Sequence, residues 1–445
     1  MTRIRLAGIA LLSVVLAAIG SVVSAAQVAI TEYPNPTSGS GPIGIAVGPD
    51  GNLWFPEPGV NEIGRITLAG VITEFPAGDG PNFITSGPDG NLWFTEEPGS
   101  AIVKMTTSGV VLAVYPTSYY PAGITAGPDG NLWFTLPNTS QIGRITPNGV
   151  ITWFGPTAST YPVHIVVGPD GNLWFTEEGY APWVAAGYGA GVGRITSEGV
   201  ITEFPLSTSG GAPYAIAVGP DGNLWFTEYA GSKLGKITPA GEITEFSLPT
   251  SVFSCTGGLA VYSDCNTVSG SEPAGIIGGP DGNVWFTELT AGKVGRITPA
   301  GVITEFPVPT SGSGPAGMTA DSVGNLWFVE RAGDVGKITL ITAPFTITVL
   351  PPSETVYRGD IAAFLLKLQA ARGFSGNVTL SCAGPAGSYC VDFPMTVRFD
   401  NGVALAVSGI FFRPNTPAGT YTVTFTGVSG ALTDTATATF IVQSH

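Results

Sequence analysis

Gly219-Pro220-Asp221-Gly222-Asn223-Leu224-Trp225-Phe226-Thr227-Glu228 is one copy of a string that recurs through most of the chain. Its tryptophan serves as a ruler. Trp54, Trp93, Trp133, Trp174, Trp225, Trp285 and Trp327 put seven of the nine tryptophans in one slot, at spacings of 39, 40, 41, 51, 60 and 42 residues. A period near 40 belongs to a four-stranded propeller blade or to a helical repeat. Each unit carries four short runs rich in Ile, Val, Thr, Phe and Trp, divided by Gly, Pro and Asp-Gly turns, and no run is long enough for a helix. In the second unit the predicted strands are Phe83–Ser86, Asn91–Glu96, Ala101–Thr106 and Val110–Tyr115, named here inner, second, third and outer. Asp89-Gly90 turns the inner strand into the second, because Asp bonds its own backbone and Gly accepts a positive φ. The second strand is a continuous apolar run, as burial on both faces requires. Inner strands such as Gly44-Ile45-Ala46-Val47 use small residues, as convergence on an axis demands.

Closure is an independent check, since a propeller must not leave its last sheet with an open edge. Seven outer strands exist, but one, Ile30–Tyr33, precedes the first inner strand, and the seventh unit ends after its third strand, Gly336–Thr339. The expected fold is all-β: a seven-bladed β-propeller over residues 27–340, closed by the N-terminal strand. A straight β-solenoid is the runner-up and would need no such permuted strand.

The repeated charges read as architecture. Every third strand carries one base in the same slot, Arg65, Lys104, Arg144, Arg194, Lys236, Arg296 or Lys337, and nine residues on four of six outer strands offer Glu74, Glu203, Glu245 or Glu305. That spacing predicts cross-strand ion pairs, with Trp153 as a cation–π partner for Arg144. The second strands end in Glu57, Glu96, Glu177, Glu228, Glu288 and Glu330, Leu136 interrupting the series, and these glutamates are expected at one mouth. Two insertions share that face. The first follows Glu178 and holds Tyr180, Trp183 and Tyr188, which with Glu177 and Glu178 form a candidate surface for stacking on a sugar or aromatic ligand. The second lies between Phe246 and Pro273 and holds Cys255 and Cys265, an expected local disulfide.

Ile201-Thr202-Glu203-Phe204-Pro205, then Ala217 to Glu228, then Gly235-Lys236-Ile237-Thr238 resemble the repeats of the virginiamycin B lyase (streptogramin B lyase) family, and the likeness runs from residue 28 to 340. The resemblance implies a seven-bladed fold and magnesium-assisted elimination that opens a cyclic depsipeptide at its ester C–O bond. Such chemistry needs a base beside a carbonyl and a cation for the developing enolate, supplied in this family by histidines and glutamates of the late blades. Here the late-blade positions are Gly275 and Gly317, and the matching Pro-x-His-Ile setting occurs only at His164. His164 is thus the one internal candidate base, and Glu228, Glu288 and Glu330 are the candidate ligands for magnesium or calcium.

Residues 341–445 lose the Trp-Phe period and show short alternating strands. Gly376-Asn377-Val378-Thr379-Leu380 and Pro417-Ala418-Gly419-Thr420-Tyr421-Thr422-Val423 resemble bacterial immunoglobulin-like surface modules, which implies a β-sandwich with Cys382 and Cys390 as its disulfide. Arg3 and Arg5 before an apolar stretch from Leu6 to Ile19 and small residues to Ala26 read as a secretory signal over residues 1–26. Beyond it no segment is long and apolar enough to span a bilayer. Lys plus Arg number 17 against 32 Asp plus Glu, a net charge of -15, which argues against nucleic acid as a partner. Two histidines, His164 and His445, leave little room for histidine-dependent catalysis. The expectation is a secreted, periplasmic or cell-surface propeller with a degenerate lyase site that binds a small-molecule, glycan or peptide ligand at its mouth. The alternatives are a divalent-metal carbon–oxygen lyase acting on a cyclic depsipeptide or a uronate-type sugar, and a lactone hydrolase.

Overall fold

The computed structural model describes residues 27–157, 161–179, 190–207, 210–249, 252–253, 268–341, 345–370, 376–391, 393, 395–399, 403–429 and 432–444. Tyr180, Trp183, Tyr188, Cys255, Cys265 and residues 1–26 lie outside them. The chain divides into two compact units, Val28–Leu340 and the residues from Ile341 on.

In the first unit the described residues form seven four-stranded antiparallel sheets. The second sheet, Pro81–Ser86, Leu92–Glu96, Ala101–Met105 and Val111–Pro116, lies within two residues of the predicted strands. The inner strands Ala46–Val47, Pro81–Ser86, Ile124–Ala126, Pro162–Val167, Pro213–Val218, Pro273–Gly278 and Pro315–Ala320 each touch the next, and the last returns to the first. The sheets therefore ring an axis as a β-propeller. The N-terminal strand Gln27–Tyr33 closes it by lying beside Val335–Ile341 of the last sheet. Tyr33 stacks on Trp327 with ring centroids 5.7 Å apart, the place that Phe75 takes on Trp54 and Tyr115 on Trp93.

Every residue of each sheet's second strand is buried, because both faces meet a neighbouring sheet. A buried indole N–H needs an acceptor. The turn aspartate provides it: Trp225 Nε1 donates to Asp221 Oδ1 at 3.0 Å, and the same bond, at 2.8–3.0 Å, recurs in all seven sheets. Space for it comes from the first glycine of the motif, since a Cβ on Gly219 would lie 2.4 Å from Trp225 Cδ1 and 2.8 Å from Asp221 Oδ1. The seventh sheet lacks the Gly-Pro-Asp-Gly string. There Asp321 stands in that glycine's slot and reaches Trp327 Nε1 at 2.8 Å.

Among the described residues no ion pair joins the third-strand bases of the Arg65 slot to the outer-strand glutamates nine residues on. Register sets Glu74 opposite Gly64 and Arg65 opposite Thr73, so base and glutamate emerge on opposite faces. The bases lie instead over the tryptophan and the outer aromatic ring, as Arg65 does over Trp54 at 5.5 Å and Phe75 at 5.2 Å. Four of them also reach the turn aspartate, Lys104 to Asp89 at 2.7 Å being the shortest contact. Arg144 likewise sits over Trp133 and Phe154, while Trp153 packs edge-on against Phe134. The outer-strand glutamates find other partners: Glu245 meets Lys233 at 3.0 Å and Glu305 meets Lys293 at 2.6 Å.

The second unit holds a four-stranded sheet (Phe345–Leu350, Ile361–Ala370, Val403–Phe412, Ser388–Val391) and a five-stranded one (Ser353–Tyr357, Leu432–Gln443, Gly419–Ser429, Gly376–Ala383, Met395–Phe399). Phe364, Leu366 and Phe412 of the first and Val423, Phe425 and Phe440 of the second share one core. The Cys382–Cys390 disulfide bridges the two sheets. Among the described residues no helix is long and apolar enough to cross a membrane.

Candidate functional site at the propeller axis

Each inner strand includes, overlaps or directly follows a Pro-x-y-Ile or Pro-x-y-Met string, and residues of these strings line the axis. The y slot reads Gly44, Phe83, Gly123, His164, Ala215, Gly275 and Gly317 around the ring. Four glycines and one alanine leave room there, and Phe83 and His164 reach into it, their rings edge to face at 5.5 Å. The resulting cavity, of about 80 Å³, is lined by residues of all seven sheets, including Phe83, His164, Tyr214, Gly275, Gly317 and Arg331.

His164 Nδ1 is buried without a hydrogen-bond partner among the described residues. Burial draws the imidazole down to about 4, a hydrogen bond with the backbone of Ile216 working the other way. At neutral pH the ring is therefore uncharged and weakly basic. Tyr214 is pushed up to about 12 by burial, against the pull of Arg331 and with the help of Glu178, Tyr229 and Glu97. Glu178 is pushed up to about 7 by burial. Around the rim, Tyr229 stacks obliquely on Tyr214 at 5.9 Å and donates its hydroxyl to Glu272 at 3.0 Å, and Asn82 donates to Glu97 at 3.0 Å. This rim offers aromatic faces, hydroxyls, carboxylates and one guanidinium, a set suited to a polar ligand with hydroxyl or amide groups.

The glutamates that end the second strands are not the rim. Glu57, Glu177, Glu228, Glu288 and Glu330 are 0% exposed and Glu96 4%. Strand alternation turns each one under the loop that leads into its own sheet: a Cβ on Gly78 would strike Glu96 Oε1, and one on Gly211 would lie 2.6 Å from Glu228 Oε2. The next residue, one step further along, faces the mouth. That slot holds Glu97, Glu178, Tyr229 and Arg331 in the second, fourth, fifth and seventh sheets. Of the expected ligand residues, Glu178 thus stands at the rim and Glu177 does not.

Glu228, Glu288 and Glu330 belong to three different sheets and do not converge. Among the described residues the one group of three acidic or metal-binding side chains close enough to share an ion is Glu57, Glu62 and Glu74. The described residues at the late-blade positions do not fit a catalytic magnesium.

Comparison with known proteins places the fold in a lineage. The sequence pattern of the virginiamycin B lyase family matches residues 16–179, 77–255 and 178–353. The chain belongs to the virginiamycin B lyase family. Selenomethionine-substituted virginiamycin B lyase from Staphylococcus aureus is 35% identical, with a TM-score of 0.61 over 71% of this chain and 100% of that one. A catalytically inactive histidine-to-alanine variant of the S. aureus lyase, solved with quinupristin, is 36% identical over 71% of this chain and 100% of that one, also at 0.61. A streptogramin B lyase structure is 33% identical over 70% of this chain and 98% of that one, at the same TM-score. The WD40 β-propeller domain of Doa1, at 9% identity and a TM-score of 0.54, shares the fold alone.

Phe83, Tyr214, Tyr229, Glu97 and Arg331 were not among the residues singled out from sequence. A readable signal exists for most of them: when the seven copies are aligned, Phe83 interrupts a slot that is otherwise Gly or Ala apart from His164, Tyr214 is the one aromatic in its slot, and Glu97, Tyr229 and Arg331 share with Glu178 a slot otherwise filled by Pro or Leu.

Proposed function

We propose that this protein is a secreted or surface-associated binding member of its family, taking a glycan- or peptide-like ligand at the axial mouth, and that it has lost elimination chemistry. The observation that carries this reading is the axial slot itself, where His164 is the single histidine and four of the seven positions are glycine. A general base works best when its pKa lies near the operating pH, and burial holds His164 near 4. Gly275 and Gly317 place no side chain at the equivalent positions of the sixth and seventh sheets. The S. aureus relative becomes catalytically inactive on a histidine-to-alanine change, so the loss of histidines here bears on the same chemistry. The N-terminal signal pattern and the Cys382–Cys390 disulfide support an oxidising, extracytoplasmic location. The C-terminal unit is read as an immunoglobulin-like spacer or adhesion module.

Two measurements test this. Incubated with quinupristin and magnesium, the purified protein is expected to yield no linear product by mass spectrometry above a protein-free blank. Linear product that disappears in His164→Ala would restore the lyase. On a glycan and peptide array, binding is expected to weaken at least tenfold in Tyr214→Ala and Glu178→Gln, each removing a rim contact of roughly 1–3 kcal/mol. Binding indifferent to both would move the ligand away from the axis.

A further inference from the structure

We infer that the first sheet holds a calcium-class divalent cation between Glu57, Glu62 and Glu74, in a slot that two other sheets fill with a lysine. The seven sheets are copies, so the slot can be compared within one chain. In the fifth sheet Glu228 pairs in register with Lys233, and the ammonium of Lys233 lies 3.0 Å from Glu245 of the outer strand. The sixth sheet repeats this with Glu288 opposite Lys293 and Lys293 2.6 Å from Glu305. Each arrangement places a positive charge beside a fully buried glutamate and an outer-strand glutamate.

In the first sheet the register is the same, Glu57 opposite Glu62 and Gly64 opposite Glu74, but the lysine position is Glu62. The charge of the slot is reversed. One carboxylate oxygen from each of Glu57, Glu62 and Glu74 lies within 4.8 Å of the others. Among the described residues no ion pair joins any of the three to a lysine or arginine. Arg65, the nearest base in sequence, lies over Trp54 and Phe75.

A second observation points to a ligand there. Glu57 is 0% exposed, one of its oxygens accepts from Asn35 Nδ2, and the other, Oε2, has no hydrogen-bond partner among the described residues. Glu62 Oε2 and Asn35 Oδ1 are likewise buried atoms without a partner among the described residues. Glu74 is held by Thr37, whose backbone N–H and hydroxyl donate to its two oxygens at 3.0 and 2.8 Å. Three carboxylates form an all-oxygen donor set, the kind that hard cations take, with calcium satisfied by six to eight oxygens in irregular geometry, water supplying the rest. A buried carboxylate beside two partly exposed ones favours a compensating positive charge. Asn35 and Thr37 lie on the segment that links the closing strand Gln27–Tyr33 to the first inner strand, so an ion here ties the closure to the first sheet.

The test uses the full mature chain stripped with EDTA at pH 8. Calcium titrated by calorimetry is expected to bind at one ion per chain with a Kd on the order of 10⁻⁴ to 10⁻³ M, the range of extracellular modules, and to raise the melting temperature. Terbium is expected to occupy the same slot and to luminesce on excitation of nearby tryptophan. Glu62→Lys rebuilds the layout of the fifth and sixth sheets, so it is expected to abolish binding while melting in EDTA at or above the wild-type value. Absence of calcium binding by the wild type, or binding unchanged in Glu62→Lys, would overturn the proposal. Binding lost in Glu178→Gln instead would assign the ion to the axial mouth and equally overturn it.

Discussion

The indole N–H of each buried tryptophan is a small requirement with large consequences for this sequence. An unmet buried donor costs about 1–3 kcal/mol, and the turn aspartate meets it in every sheet. Burial by itself would raise these aspartates, but bonds from the tryptophan, from the asparagine two residues on and from backbone N–H groups hold Asp50, Asp170 and Asp221 below the ordinary carboxylate value. Asp221→Ala is therefore expected to lose about 1–3 kcal/mol of stability in urea unfolding, and Gly219→Ala a comparable amount, because its Cβ meets the indole and the carboxylate. A change within experimental error for Asp221→Ala would show that water satisfies the indole. Sequence alone identified these aspartates as turn residues, but their bond to tryptophan follows from a ring and a carboxylate meeting across the hairpin.

Between elements, the threonine of the motif does work that no single blade reveals. Thr227 Oγ1 accepts from the Ala215 N–H of its own inner strand at 3.0 Å and donates to the Ala274 carbonyl of the next sheet at 3.1 Å. Thr176 and Thr287 make the same pair of bonds. Pro56 and Val329 replace it in the first and last sheets, which flank the closure. There the Gly317 N–H donates to the Ile43 carbonyl at 2.8 Å, and the closing strand adds Tyr33 on Trp327 and Glu32 bound to the backbone and hydroxyl of Thr310 at 2.9 and 2.8 Å. Tyr33→Ala is expected to cost about 1–3 kcal/mol, from lost apolar burial and ring stacking, and to speed amide exchange in Val335–Ile341 by hydrogen-exchange mass spectrometry. Unchanged exchange in that strand would show that closure does not depend on the stacked ring.

At the scale of the molecule, buried carboxylates set the response to pH. Burial pushes Glu57, Glu178, Glu228 and Glu288 up to about 7 and Glu330 to about 8, from an ordinary 4.5. The folded state therefore binds more protons than the unfolded chain between about pH 4.5 and 8, and stability declines as pH rises through that window. The depressed turn aspartates act oppositely, their stabilisation being lost as pH falls below about 3.8. In EDTA the melting temperature is expected to peak at about pH 4 to 5 and to fall toward pH 8. A melting temperature that rose across this range would contradict the inferred protonation of the buried glutamates.

The sequence by itself determined the repeat, the four strands of each unit, the need for a closing N-terminal strand and the interest of His164, because these rest on local periodicity and turn chemistry. Tertiary structure decided which charges meet. Strand alternation hid Glu228, Glu288 and Glu330 under loops and put the next residue at the mouth, and register turned the third-strand bases toward rings instead of glutamates. Phe83, His164, Tyr214 and Arg331 come from four different sheets and share one cavity only because the ring closes. Spacing along a chain does not encode such meetings, since a one-residue step in a strand reverses the face on which a side chain emerges.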